Sequence, residues 1–150
     1  MDRVRASLIA LGIADPQIMT FDDSTATAEQ AAAAIRTSVG SIVKSLVFMA
    51  GERPILVLVS GANRADTTKL ESLLGSKVKR ASADQVRAAT GFAIGGVPPL
   101  GHARPLLTYI DQHLLQHDEV WAAAGTPTSV FPISPKTLVN ITSGHVADIT

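Results

Sequence analysis

The sequence predicts an α+β fold built on a mixed, curved sheet. Three observations carry that expectation. Helical and strand patterns both occur, but they do not alternate strictly, so a chain of βαβ units is excluded. The apolar runs Ser41 to Ala50 and Ile55 to Val59 flank Gly51-Glu52-Arg53-Pro54, which reads as a turn joining an antiparallel hairpin. Finally, 150 residues that are 46% hydrophobic and 17% charged can bury a sizeable core, and they suit one domain spanning residues 1–150.

Each element has a local reason. Val4, Leu8 and Leu11 recur at helical spacing, and Gly12 is a natural stop. Gln17 to Phe21 suits a short strand, followed by a polar loop over Asp22 to Thr25. Thr27 with Gln30 three residues on forms a capping box that opens a helix with Ala31, Ala34 and Ile35 on its thin apolar face, ending at Gly40. Ile55 to Val59 is continuously apolar, as a central strand is. Asp66 caps a helix carrying Leu70, Leu73 and Leu74 and closed by Gly75. Lys77 to Arg80 suits a strand. Ser82 and Gln85 repeat the capping box for a helix that stops at Gly91. Strands are expected at Leu106 to Ile110, Glu119 to Ala123 and Val130 to Ile133. Ser134-Pro135 then opens a last helix, proline being favoured at the first helical position. Val146 to Ile149 reads as an edge strand.

Composition narrows the chemistry. There is no cysteine, which excludes a disulfide scaffold, a thiolate zinc site and a Cys nucleophile. Aromatics are 4%, too few for a stacking platform. No segment approaches the ~20 apolar residues of a membrane span, so a cytoplasmic protein with no membrane partner is expected. Formal net charge is 0, yet residues 51–90 carry 7 basic and 4 acidic side chains, among them Arg64, Lys69, Lys77, Lys79, Arg80 and Arg87. Such a segment either solvates its helices and strands or faces phosphate.

Three segments can carry chemistry. Lys44 falls on one strand face with Ile42, Leu46 and Phe48. An ammonium there either snorkels to water or meets an anion. The run Gly95-Gly96-Val97-Pro98-Pro99-Leu100-Gly101 is a stiff loop whose backbone can approach a ligand, or a plain tight connection. Gly125-Thr126-Pro127-Thr128-Ser129 offers hydroxyls on a flexible backbone. His113 and His117 are spaced i, i+4, which on a helix can share a metal, but the polar neighbours Asp111, Gln112, Gln116 and Asp118 suit a solvated face better. No Gly-x-Ser-x-Gly elbow, P-loop or dinucleotide fingerprint occurs.

Taken in order, the strand Ile42-Val43-Lys44-Ser45-Leu46-Val47, the loop Thr90 to Gly101 and the segment from Val120-Trp121 through Gly125 and Ser134-Pro135 to Ala147-Asp148-Ile149 resemble the YbaK/EbsC family. These are free-standing relatives of the editing domain inserted in bacterial prolyl-tRNA synthetases. The resemblance implies a barrel-like mixed sheet and hydrolysis of the ester of a mischarged aminoacyl-tRNA, without metal or cofactor. It places the functional lysine at Lys44 and the family's Gly-x-x-Pro loop at Gly96 and Pro99, with Gly95 to Pro98 as the register one residue earlier. Gly95, Val97, Pro98, Gly125 and Thr126 are then substrate-side residues, and Phe48 is a candidate pocket wall, with Met49 on the opposite face. The implied partners are the 3′-terminal aminoacyl-adenosine of a mischarged tRNA, tRNA(Pro) carrying Ala, Cys or Ser, and prolyl-tRNA synthetase itself. Two other readings stand beside this one. A non-catalytic module of the same fold would bind tRNA or a synthetase without turnover, and a metal hydrolase would use His113 and His117.

Overall fold

The computed structural model describes all 150 residues. Five helices and eight strands follow the order α1 (Asp2–Ala10), β1 (Met19–Thr20), α2 (Ala28–Ile35), β2 (Val43–Ala50), β3 (Arg53–Ser60), α3 (Thr67–Leu74), β4 (Val78–Arg80), α4 (Ala83–Thr90), β5 (Leu107–Asp111), β6 (Val120–Ala123), β7 (Ser129–Ile133), α5 (Pro135–Thr142) and β8 (His145–Ala147). The fold is mixed α+β. Both capping boxes form. Gln30 N–H donates to Thr27 Oγ1 at 3.1 Å, and Gln85 N–H donates to Ser82 Oγ at 3.2 Å. Asp66 and Ser134 cap α3 and α5, with Pro135 in the first turn.

Several boundaries move for local reasons. Helix α2 ends at Arg36, not Gly40. Arg36 takes a left-handed conformation (φ 67°), and the N–H groups of Arg36 and Thr37 both reach the Ala32 carbonyl, closing the helix without a glycine. Gly40 lies instead in a 3-10 turn, Val39–Ser41, and the strand starts at Val43. The hairpin turn contains only Gly51 and Glu52, because Ala50 already pairs with Arg53. Pro54 is therefore inside β3, opposite Met49. It is tolerated because β3 gains its second neighbour only from Ile55 onward, so the missing N–H breaks no ladder bond. Leu11 and Leu73, expected on buried faces, are about half exposed. Leu11 lies past the end of α1, and α3 uses Leu70 as its buried anchor. The last strand is shifted to His145–Ala147, and Ile149 leaves it to enter the core.

The curvature of the sheet is resolved into two sheets. One has five strands in the order β4-β2-β3-β5-β8, antiparallel around β2 and parallel from β3 through β5 to β8. The other is the antiparallel β1-β7-β6. A single parallel bridge, Ile42 to Trp121, links them. The larger core lies between the sheets. There Val43, Val47, Leu56 and Leu58 meet Val120, Ala122, Phe131 and Ile133, with Val4 and Leu8 of α1. On the other face, Phe48, Ile55, Val57 and Val59 pack against Leu70 of α3 and Ile149. Strand β3 is buried from Ile55 to Ser60 because both its faces are covered, as its unbroken apolar sequence predicts.

Candidate active site

Strand β2 has a partly open edge. It pairs with β4 only over Phe48–Ala50 and meets β6 only through the Ile42 bridge. Between these points the two sheets diverge, and a cleft of about 820 Å³ opens along Lys44 to Val47. Strand alternation sends Lys44, Leu46 and Phe48 to the α3 side of this edge, and Val43, Ser45 and Val47 to the inter-sheet side. The cleft is also walled by the segment entering α2, by Gly95 and Val97, and by Trp121 to Ala123 of β6. Arg64, Arg80 and Glu29 lie on it as well.

Lys44 is half-buried at this edge, as expected of a lysine on an apolar strand face. Its ammonium donates to the backbone carbonyl of Asn63, in the turn that follows β3. No carboxylate comes within ion-pair distance of it, nor of Arg64 or Arg80; the salt bridges of the protein are Lys69–Asp148, Lys77–Glu71 and His113–Asp111. Burial pulls the Lys44 ammonium below its ordinary pKa of 10.5. Glu29 opposes that pull, Arg64 and Arg80 add to it, and Asp111 opposes it. Arg80 holds its guanidinium 5.6 Å from the centre of the Phe48 ring, a cation–π contact that steadies a cation at the cleft.

Gly95 and Val97 of the glycine loop line the same cleft as Lys44. Gly95 has φ +93° at the corner of a turn in which Gly96 N–H donates to the Ala93 carbonyl at 3.1 Å. The Gly96 N–H is thus already used, whereas those of Gly95 and Val97 have no partner within the chain. Gly96 is buried with its Cα against the backbone of Thr126, where a Cβ would approach to 2.9 Å. Only glycine permits that contact, which locks the two loops together.

The structure therefore divides the residues singled out in the sequence. Lys44, Phe48, Gly95 and Val97 line one cleft. Gly96, Gly125 and Thr126 stand behind it. Gly125 turns toward α1 and Phe92, and Thr126 Oγ1 bonds Ser129 Oγ at 2.6 Å within its own loop. Pro98 and Pro99 do not line the Lys44 cleft. The Pro98 carbonyl accepts from His102 Nε2 at 2.7 Å, and Pro99 lines a separate cleft of about 580 Å³ with Ser7, Leu11 and Ile141. Pro99 is buried outside the lining of the Lys44 cleft, so it meets that cleft only through the loop that carries Gly95 and Val97. Met49 lies outside the cleft lining, buried opposite Pro54.

The alternative reading of His113 and His117 as a shared metal site lacks the helix it needs. Residues Gln112–Gln116 form a 3-10 turn rather than an α-helix, so positions four apart do not share a face. His113 Nδ1–H donates to Asp111 Oδ1 at 2.9 Å, while the His117 ring lies beside Gly40. No group of three or more His, Cys, Asp or Glu side chains is arranged to hold a metal.

Three residues at the site escaped sequence reasoning. Asn63 acts through a backbone carbonyl, which its side-chain identity does not announce. Ser45 carries a buried hydroxyl with no hydrogen-bond partner, and the alternation that placed Lys44 could have located it. Asp111 is fully buried and accepts from Ser60 N–H (3.1 Å), Asn63 Nδ2 (3.0 Å), His113 N–H (3.0 Å) and His113 Nδ1.

The model of the aminoacyl-tRNA editing domain matches residues 22–141. The chain belongs to this family. Within it, the chain is of the YbaK/EbsC type. It is 36% identical to the YwhH protein of Bacillus subtilis (strain 168) over 122 residues, covering 81% of this chain and 78% of that one. It is 27% identical over 126 residues to the "Putative Cys-tRNA(Pro)/Cys-tRNA(Cys) deacylase EbsC" of Enterococcus faecalis (strain ATCC 700802 / V583), covering 83% and 77%. A solved structure described as "a putative trans-editing enzyme for prolyl tRNA synthetase" superposes with a TM-score of 0.94 at 46% identity, covering 99% of this chain and 95% of the other. The editing-domain assignment covers Lys44 and the glycine loop. No helix of the chain is long and apolar enough to cross a membrane.

Proposed function

We propose that this editing domain acts in trans, hydrolysing the ester that links a small non-cognate amino acid (Ala, Cys or Ser) to the 3′-terminal adenosine of tRNA(Pro). The observation that carries the reading is Lys44, a cation with no carboxylate partner, lining the same cleft as Gly95 and Val97, whose backbone N–H groups have no partner within the chain. Lys44, with Arg64 and Arg80 beside it, meets the phosphodiester of the terminal nucleotide. The N–H groups of Gly95 and Val97 face the aminoacyl carbonyl and the oxyanion that forms from it. Gly96, Pro98, Pro99, Gly125 and Thr126 hold that loop in place, and Phe48 supports Arg80. Domain organisation follows the same reading, with residues 1–150 forming one editing unit.

The chemistry asks little of the side chains. An aminoacyl ester is already activated, so an oriented water suffices as nucleophile. Water oxygen bonds to the carbonyl carbon, the bond from that carbon to the ribose oxygen breaks, and the proton ends on the ribose. The neighbouring ribose hydroxyl serves as the proton relay, so the step does not require Glu29, the one carboxylate lining the cleft, to act as general base. The substrate fits the family, whose relatives bear deacylase and trans-editing names.

The test is release of amino acid from Ala-, Cys- and Ser-charged tRNA(Pro), with and without prolyl-tRNA synthetase. Lys44→Ala is expected to lower kcat/KM by about a hundredfold, the scale of losing one oriented electrostatic contact. Full activity in that variant removes the mechanism. Binding of tRNA with no turnover on any ester identifies a non-catalytic module instead.

A further inference from the structure

We infer that Asp111 is a positioning residue for Lys44, acting through the turn Gly61 to Asn63. The inference about Lys44 placement stands on geometry; its consequence for catalysis rests on the deacylase reading above.

Three features lead to it. First, Asp111 ends β5 with its side chain wholly buried, where a carboxylate persists only when hydrogen-bonded. Its four hydrogen bonds all come from backbone or side-chain groups of Ser60, Asn63 and His113. Second, two of those donors bracket one turn. Ser60 N–H fixes its start and Asn63 Nδ2 its end. The turn is pinned further by Ser60 Oγ donating to the Gly40 carbonyl at 2.7 Å and by Gly61, where a Cβ would collide with the Val39 carbonyl. Third, the output of that turn is the Asn63 carbonyl, which holds the only hydrogen bond the Lys44 ammonium makes. Lys44 has a flexible four-carbon stem and no carboxylate to anchor it. A rigid acceptor is what confines it to the cleft, and the buried carboxylate is what makes that acceptor rigid.

The chain of contacts is linear, which gives it a distinctive signature. Removing the Asp111 charge frees the turn, and the freed turn frees Lys44. Once Lys44 is gone, nothing remains downstream for Asp111 to position, so its catalytic effect should vanish in that background.

Two measurements test this. In protein carrying 13C-labelled lysine, the two Cε protons of Lys44 are expected to resonate apart in the wild type, because the side chain is fixed, and to converge in Asp111→Asn. Lys136 serves as an unconstrained internal standard. Separation that persists in a folded Asp111→Asn protein overturns the proposal. Asn63→Ala removes one of the four bonds from a partly exposed turn, and it decides the question in the same way should Asp111→Asn not fold. In the second measurement, deacylation of a mischarged tRNA(Pro), Asp111→Asn is expected to lower kcat/KM about tenfold with Lys44 present and less than about twofold on Lys44→Ala. Equal losses in both backgrounds overturn the catalytic role. If the wild type deacylates nothing while the lysine signals converge as expected, the deacylase reading fails and the positioning role stands.

Discussion

At the scale of single residues, two neighbours on β2 show opposite solutions to the same problem. Lys44 and Ser45 both place polar atoms at a strand edge lined mostly by apolar groups. Lys44 is satisfied by a carbonyl from another turn, whereas the Ser45 hydroxyl has no partner. An unsatisfied buried hydroxyl costs stability, and deleting it leaves only a small gap. Ser45→Ala is therefore expected to leave the denaturation midpoint unchanged or to raise stability by up to about 1 kcal/mol, read at constant m-value. A loss larger than that would mean that the hydroxyl is bonded. Asp111 gives the contrasting case. Burial pushes its carboxyl up, but hydrogen bonds from Asn63, from the His113 and Ser60 amides and from the His113 ring outweigh burial and hold it below its ordinary 3.8. Its stabilising effect is thus present at neutral pH and is lost only in strong acid. Lys44 was legible in the sequence because a charge in an apolar strand stands out. Asn63 was not, since its contribution is a backbone atom shared by every residue type.

Among the elements, the loop from Gly91 to Gly101 is the one whose shape decides the site. Its two ends are held differently. The first half is braced by the Gly96 contact with Thr126, and the second by His102 Nε2–H donating to the Pro98 carbonyl. Burial lowers the His102 pKa below 6.5, only partly offset by that hydrogen bond, so the folded loop favours neutral imidazole. An unfolded chain takes up its proton near pH 6.5. Stability is therefore full above that value and falls as pH drops below it, by at most about 1.4 kcal/mol per pH unit. Urea midpoints measured from pH 7.5 to 5 should decline in the wild type and flatten over this window in His102→Gln. A parallel decline in both would assign the effect elsewhere. Helix positions were readable because caps are local: Thr27 with Gln30, Ser82 with Gln85 and Ser134-Pro135 all act where the sequence puts them. The path of Pro98-Pro99 was not readable. Proline fixes the local backbone but not the wall toward which an extended segment points.

For the molecule as a whole, zero net charge conceals a local imbalance. Lys44, Arg64 and Arg80 meet at one cleft, whereas Lys69 is paired with Asp148 and Lys77 lies exposed beside Glu71. If those three cations engage three phosphates of a single-stranded 3′ end, the logarithm of tRNA affinity should fall with the logarithm of salt with a slope of about −2. Arg64→Ala and Arg80→Ala should each flatten it by about 0.7. A slope steeper than about −4 would show instead that the wider basic segment takes part. The uneven charge was visible along the chain, but the selection of these cations was not. It depends on strand order, with β3 beside β5 and the two sheets joined at a single bridge, and such pairings between distant segments leave little trace in local patterns.

The open edge of β2 has a second consequence. A strand with unpaired backbone groups is a template on which a strand from another molecule can add, and proteins commonly guard such places with a charge, especially a lysine. Lys44 stands at the middle of that opening, and the stretch flanking it, Ile42 to Phe48, otherwise has the apolar, β-prone character of an aggregating segment. On the deacylase proposal, the lysine that meets the nucleic acid is also a charge of the kind that disfavours strand addition, so one side chain would serve both the open cleft and the unpaired edge.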